Sequence, residues 1–216
     1  MKNLIQSVVV AFLVVTAGMA TVHAGDFEDT IESSVTWKRG TAQKMTTYIK
    51  GAAMRIETAG PGSVMIISPK YPGKMLTLAV ATKAYSVAPV PTDPNAKVQI
   101  KKLGNETILG HPCTHIEAIV TTSTGTNRSE YWFSQDLGNR ALLKEMLKST
   151  PSGEAMMRAM EQAGWTNGIY LKMIAYQKSG EVLMKQEPVQ IAAQSVSSAL
   201  FDIPSGYHEM KTPAGK

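Results

Sequence analysis

Residues 110–137, GHPCTHIEAIVTTSTGTNRSEYWFSQDL, hold the only cysteine of the chain, two of its four histidines and its clearest hairpin. Residues 121–127 are a polar run around Gly125 and read as a turn. The flanking arms, 114–121 and 128–134, are predicted strands because β-branched and aromatic residues dominate them. After residue 137 the pattern changes and two helices follow.

Upstream, strands are expected at 26–39 and 42–50 around a turn at Gly40. Met45, Thr47 and Ile49 alternate there with Thr46, Tyr48 and Lys50. Further strands are predicted at 54–57, 64–67, 75–80, 83–87 and 98–103. They are punctuated by Gly60-Pro61-Gly62, by the prolines of 89–95 and by a turn at Gly104-Asn105. Roughly eight to ten short strands thus precede residue 138, with no room for crossover helices, which predicts a mainly β chain (α+β) built on a large antiparallel sheet.

Downstream, residues 140–149 place Leu143, Met146 and Leu147 on one helical face and Lys144 and Lys148 on another. Thr150-Pro151-Ser152 breaks the helix, and Ser152 is the expected N-cap of a second one. That helix, 154–163, aligns Met156, Met157, Met160 and Ala163 and ends at Gly164. Strands return at 169–177 and 182–187 around Ser179-Gly180, and 189–196 extends the sheet past Pro188. Part of each helical stripe must pack on the sheet. The sharper expectation is that the methionine stripe faces an apolar cavity between helices and sheet.

The N-terminus reads as a secretory signal peptide: Lys2, an apolar run over 8–15, and small residues at Val22 and Ala24 for a cut after Ala24. The apolar core is shorter than the roughly 20 residues of a membrane span, and no cysteine near the cut offers a lipid anchor. The expected product is a single exported domain, residues 25–216, in the periplasm. Its formal charge falls from +5 to +4 with the loss of Lys2. No block of Lys and Arg points to nucleic acid, and a lone cysteine means no internal disulfide. Eleven of the thirteen methionines remain, and such flexible, polarizable side chains suit apolar surfaces that accept varied shapes.

His111, Cys113 and His115 alternate, so on a strand they share a face. They are zinc or copper ligands by type, but alternate residues stand roughly 7 Å apart, so one ion does not easily hold all three, and a pair with a distant partner is the geometry left open. A buried cysteine beside partly exposed histidines is the simpler reading. For catalysis the chain offers no GxSxG, HExxH, CxxC or phosphate loop, and no enzyme and no cofactor are expected.

Taken in order, Tyr48-Ile49-Lys50-Gly51, Met54-Arg55-Ile56-Glu57, the run from Gly104 to Cys113 (GNETILGHPC), Tyr131-Trp132-Phe133-Ser134 before Asp136-Leu137-Gly138, and Phe201-Asp202-Ile203-Pro204-Ser205-Gly206-Tyr207 resemble bacterial exported proteins of the DUF4412 family. That group is in turn similar to the fold of the lipoprotein carrier LolA and the receptor LolB. The resemblance implies a curved antiparallel sheet, an incomplete barrel, with two helices on its concave side and a hollow for acyl chains. It carries over no ligand-contacting residue.

Joined to the methionine stripe, it leads to a periplasmic hydrophobic-ligand binding or carrier protein. Leu143, Met146, Leu147, Met156, Met157 and Met160 would line the cavity from the helices, and Trp132 and Met173 from the sheet. The expected partners are a lipid or an acylated protein and a component of the outer or inner membrane; the chain itself is expected to be a monomer. The alternatives are a metal-binding or sensing protein taking Cu(I) through His111, Cys113, His115 and methionine thioethers, or a structural domain whose hollow is filled by its own side chains.

Overall fold

Met45, Thr47 and Ile49 are buried in the computed structural model, while Thr46, Tyr48 and Lys50 between them are only half-buried. The alternation thus sorts this strand between two faces. The structure describes residues 27–38, 40–59 and 62–210; the expected export signal, residues 1–24, lies outside them. Among the described residues nine strands precede residue 138: β1 (Glu28–Trp37), β2 (Gln43–Lys50), β3 (Ala53–Thr58), β4 (Ser63–Ile67), β5 (Lys74–Ala79), β6 (Ala84–Pro89), β7 (Lys97–Ile108), β8 (His111–Thr122) and β9 (Gly125–Ser134). Helices α1 (Arg140–Lys148) and α2 (Gly153–Gln162) follow, then β10 (Ile169–Tyr176), β11 (Val182–Ala193) and the two-residue β12 (His208–Glu209). All twelve strands form one sheet in the order β12-β6-β5-β4-β3-β2-β1-β11-β10-β9-β8-β7. Every neighbouring pair is antiparallel except β12 with β6.

Each face has its own cover. Through the registers Ile31↔Thr47, Thr47↔Ile56 and Ile56↔Met65, these residues share the face on which the helices lie. Ile66, Leu76 and Val87 share the opposite face. There Val64, Ile66, Leu76 and Leu78 are buried under Val196 and Phe201 of the segment that follows β11. Arg55 ties that segment down by donating to the Leu200 carbonyl at 2.8 Å. On the helix-bearing face of β4, Ile67 is buried as well, while Met65 stays exposed.

The sheet is open and curved. Six strands separate β4 from β8, which laid flat at about 4.8 Å per strand would stand about 34 Å apart. Yet Met65 and Ile67 of β4 border the same cavity as Ile116 and Val120 of β8.

Two expectations change, and the sheet extends past Pro188 as expected. Gly104-Asn105 is not a turn: β7 runs on to Ile108, with a register shift between Lys102 and Gly104. The reversal comes at Leu109-Gly110, both at positive φ (50° and 87°), as a two-residue hairpin loop requires. The next hairpin is tighter than the polar run suggested, with Thr122 paired to Gly125 across Ser123-Thr124. Strand β11 continues unbroken through Pro188, because the missing N–H falls opposite the irregularity at Glu32/Ser33 of β1.

Asn139 opens α1 by accepting from the Leu142 N–H at 2.8 Å, and its amide donates to the Gly51 carbonyl at 3.1 Å. Ser152 stands at the N-cap position of α2 without a side-chain capping bond. The corner between the helices is tight: a Cβ on Gly153 would sit 1.7 Å from the Leu147 carbonyl oxygen. Gly153→Ala must push the helices apart and is expected to cost about 1–3 kcal/mol, read as a shift of the urea midpoint. A shift corresponding to less than about 0.5 kcal/mol would show that the corner yields freely.

Asp29 of β1 is only 4% exposed, and burial raises its carboxyl from 3.8 to about 6, opposed by the nearby His111. Its protonated form is therefore favoured by folding. That contribution is full below the unfolded value of 3.8 and is lost as pH rises through about 6. Asp29→Asn should flatten the loss of thermal stability between pH 4 and 6 and stabilise the protein near pH 7 by about 1–3 kcal/mol. An unchanged pH profile would exclude Asp29 as its source.

Candidate functional site

Helices α1 and α2 bury Leu142 and Leu143, and Ala155, Met156 and Met160, respectively, on the side that faces the sheet. They do not fill the space beneath them. A cavity of about 360 Å³ remains, at the lower end of the range of small-molecule sites. Its roof is Leu143, Met146, Leu147, Met156 and Met160, with Ser149, Thr150 and Ser152 at the helical corner. Its floor comes from Met54, Ile56, Met65 and Ile67 on one arm of the sheet and Ile116, Val120, Tyr131, Phe133, Tyr170 and Met173 on the other. Six methionines meet there, and among the described residues no charged side chain lines it. Such a surface gains by excluding water and adapts to the outline of an apolar occupant.

Of the eight residues singled out from sequence, Leu143, Met146, Leu147, Met156, Met160 and Met173 line this cavity. Trp132 does not. It lies between Tyr131 and Phe133, and those two take the inward positions, so strand alternation sends Trp132 to the opposite face. There it stacks on His115 at 3.9 Å between ring centroids, with the Lys172 ammonium 4.1 Å from its ring. Its indole N–H donates to Glu106 Oε2 at 2.5 Å. Met157 is also displaced: it borders a smaller cleft of about 160 Å³ between the helices, with Lys144 and Trp165. One residue on from Met156, it is rotated about 100° around the helix axis, away from the sheet. The lining residues missed from sequence lie chiefly on β3, β4, β8 and β9. Their alternation was a usable signal, but which face the helices cover is not written in any single strand.

His111, Cys113 and His115 do lie along one strand, but each is engaged separately. His111 Nδ1 is 3.1 Å from Asp136 Oδ2, and His115 Nε2 is 2.9 Å from Glu130 Oε2. Cys113 is buried, and burial, reinforced by Asp136 and Glu106, pushes its thiol up to about 11. A soft metal takes the thiolate, the form this environment disfavours. Among the described residues no three His, Cys, Asp or Glu side chains converge to hold an ion. His111, Cys113 and His115 thus do not converge on one point. The native protein at pH 8 should react with a thiol reagent many times more slowly than the urea-unfolded chain. Equal rates would mean that Cys113 is open to solvent.

Residues 27–207 match the family model described as "Domain of unknown function (DUF4412)". No curated protein matches the sequence. Among solved structures, the chain is similar to an uncharacterized conserved protein from Thermus thermophilus, at 10% identity and a TM-score of 0.52, over 87% of this chain and 91% of the other. Looser likenesses are MucB in its complex with MucA from Pseudomonas aeruginosa and a LolA superfamily protein from Nitrosomonas europaea. The first has 12% identity and a TM-score of 0.47, over 83% of this chain and 56% of the other. The second has 11% identity and a TM-score of 0.40, over 82% and 90%. At such identities the likeness concerns the fold alone.

Proposed function

We propose that this chain, which belongs to the DUF4412 family, is a periplasmic binding or carrier protein for a hydrophobic ligand, a lipid or the acyl chain of an acylated partner. The observation that carries the reading is the uncharged, methionine-lined cavity of about 360 Å³ between the helices and the curved sheet. Removing roughly 300 Å² of apolar ligand surface from water contributes about 7 kcal/mol, and part of this offsets the ordering of ligand and protein. A structural domain with a filled interior would leave no such space. Export rests on the N-terminal pattern of Lys2, the apolar run and Ala24. No catalytic step is part of the proposal.

The test is native mass spectrometry of protein purified from its own periplasm, with displacement of the neutral fluorophore N-phenyl-1-naphthylamine. A bound lipid-sized mass and displacement by acyl compounds are expected. Met173→Trp, which fills the cavity from the sheet side, should weaken displacement about tenfold, or about 1.4 kcal/mol, with the circular dichroism unchanged. Protein that is always empty and never displaces the dye would end the reading.

A further inference from the structure

The two edges of the open sheet are finished differently. At one, β12 caps β6: the His208 N–H donates to the Lys83 carbonyl at 3.0 Å and the Met210 N–H to the Tyr85 carbonyl at 2.7 Å. At the other, β7 ends the sheet with twelve residues, and among the described residues its outward N–H and C=O groups meet no second strand. Its side chains are exposed or half-buried along the whole length, Leu103 among the exposed ones. A bare edge of this length is a template for another strand. Lys101, Lys102 and the register shift between Lys102 and Gly104 guard it against indiscriminate pairing. They leave one register open.

The shift itself selects that register. Lys101 pairs with Glu117 of β8, and Glu106 with Cys113. Glu117 and Cys113 are four residues apart on a strand whose pairing with β9 is unbroken, so they are in phase. Lys101 and Glu106 therefore point to one face and turn equivalent backbone groups outward, although five residues separate them. Two β7 strands laid antiparallel about a two-fold axis between Leu103 and Gly104 thus meet in phase. Each Lys101 then lies directly opposite Glu106 of the second copy, and each Leu103 opposite a glycine. Sliding two residues either way sets Gln99 or Leu103 against Glu106 and loses both ion pairs. The charges are available: among the described residues neither Lys101, Lys102 nor Glu106 has an ion-pair partner. Only Oε2 of Glu106 is engaged, by the Trp132 indole.

Shape agrees with charge. Met156, Met160 and Trp165 belong to the cluster packed against Val98 and Ile100, in the first half of β7. The second half borders a groove of about 660 Å³ that holds the Glu106 and Asp136 carboxylates and, among the described lining residues, no lysine or arginine. The two-fold sets the helix-covered half of one copy beside the groove of the other. Lys102, which pairs with Ile116 and so shares the helix-bearing face, arrives beside those carboxylates.

We propose that the chain forms a two-fold dimer in which β7 pairs with β7 of a second copy over residues 99–108, joining two twelve-stranded sheets edge to edge. The interface is short and its ion pairs are exposed, so the dimer is weak and sensitive to salt.

The test is sedimentation equilibrium of the exported protein at low ionic strength, at concentrations up to roughly 0.5 mM. The wild type should pass from monomer to dimer as concentration rises, and added salt should weaken the dimer. Lys101→Glu and Glu106→Lys each oppose like charges at both contacts and should each weaken it about tenfold, with circular dichroism unchanged. Mixing the two variants should restore it, because the mixed dimer regains a lysine opposite a glutamate at both positions. A wild type that stays monomeric throughout, a dimer that salt does not weaken, a dimer indifferent to Lys101→Glu, or folded variants that gain nothing on mixing would each overturn the proposal.

Discussion

Two helices of nine and ten residues, each about 15 Å long, meet a sheet of twelve strands that would span about 50 Å laid flat. A sheet that wide has far more apolar face than the helices can hide. The chain answers by curling the sheet until β4 and β8 face each other beneath the helices, and by drawing the segment after β11 across the other face of β3 to β6. Even so, the helices roof the hollow rather than fill it. The cavity is what remains when nine- and ten-residue helices cover a space enclosed by strands from β3 to β10.

The far side of β8 to β10 solves the same covering problem with polar chemistry. Arg128 reaches Glu117 at 2.5 Å and Glu130 at 2.6 Å and lies 4.1 Å from the Tyr176 ring, while the Tyr176 hydroxyl donates to Glu130 at 2.9 Å. His115 and Lys172 cover Trp132. Surface ion pairs of this kind contribute little stability each. They let one face of these strands meet water without an apolar cover, so Ile116, Tyr131 and Phe133 are left to line the cavity from the other face. Sheet alternation thus separates a solvated polar lattice from an uncharged chamber across one layer of backbone.

Much of this was legible in the residues. The Val, Ile and aromatic runs between glycines and prolines marked roughly eight to ten strands before residue 138, where the described residues form nine, and the short gaps between them required antiparallel pairing. The motifs from Tyr48 to Tyr207 pointed to the family whose model matches residues 27–207. The helical spacing of Leu143, Met146 and Leu147, and of Met156 and Met160, identified a roof. Trp132 misled because size and aromaticity suggest burial in an oily pocket. It is buried, but beneath a histidine and a lysine, and residue type does not report which face of a strand points inward. Leu109 gave no warning of a turn, since a leucine at positive φ is tolerated only where the pairing on either side holds it.

Periodicity, turn residues and composition by themselves determined the kind of elements, their order, the antiparallel sheet and a methionine-bearing helical face, because each depends on neighbours a few residues away. Only the tertiary structure decided that the hollow stays open, that Trp132 faces away from it, and that His111 and His115 are each engaged by a different carboxylate. Those outcomes depend on strand register, on curvature accumulated over twelve strands and on where two helices come to rest, and these arise from contacts between residues far apart in the chain.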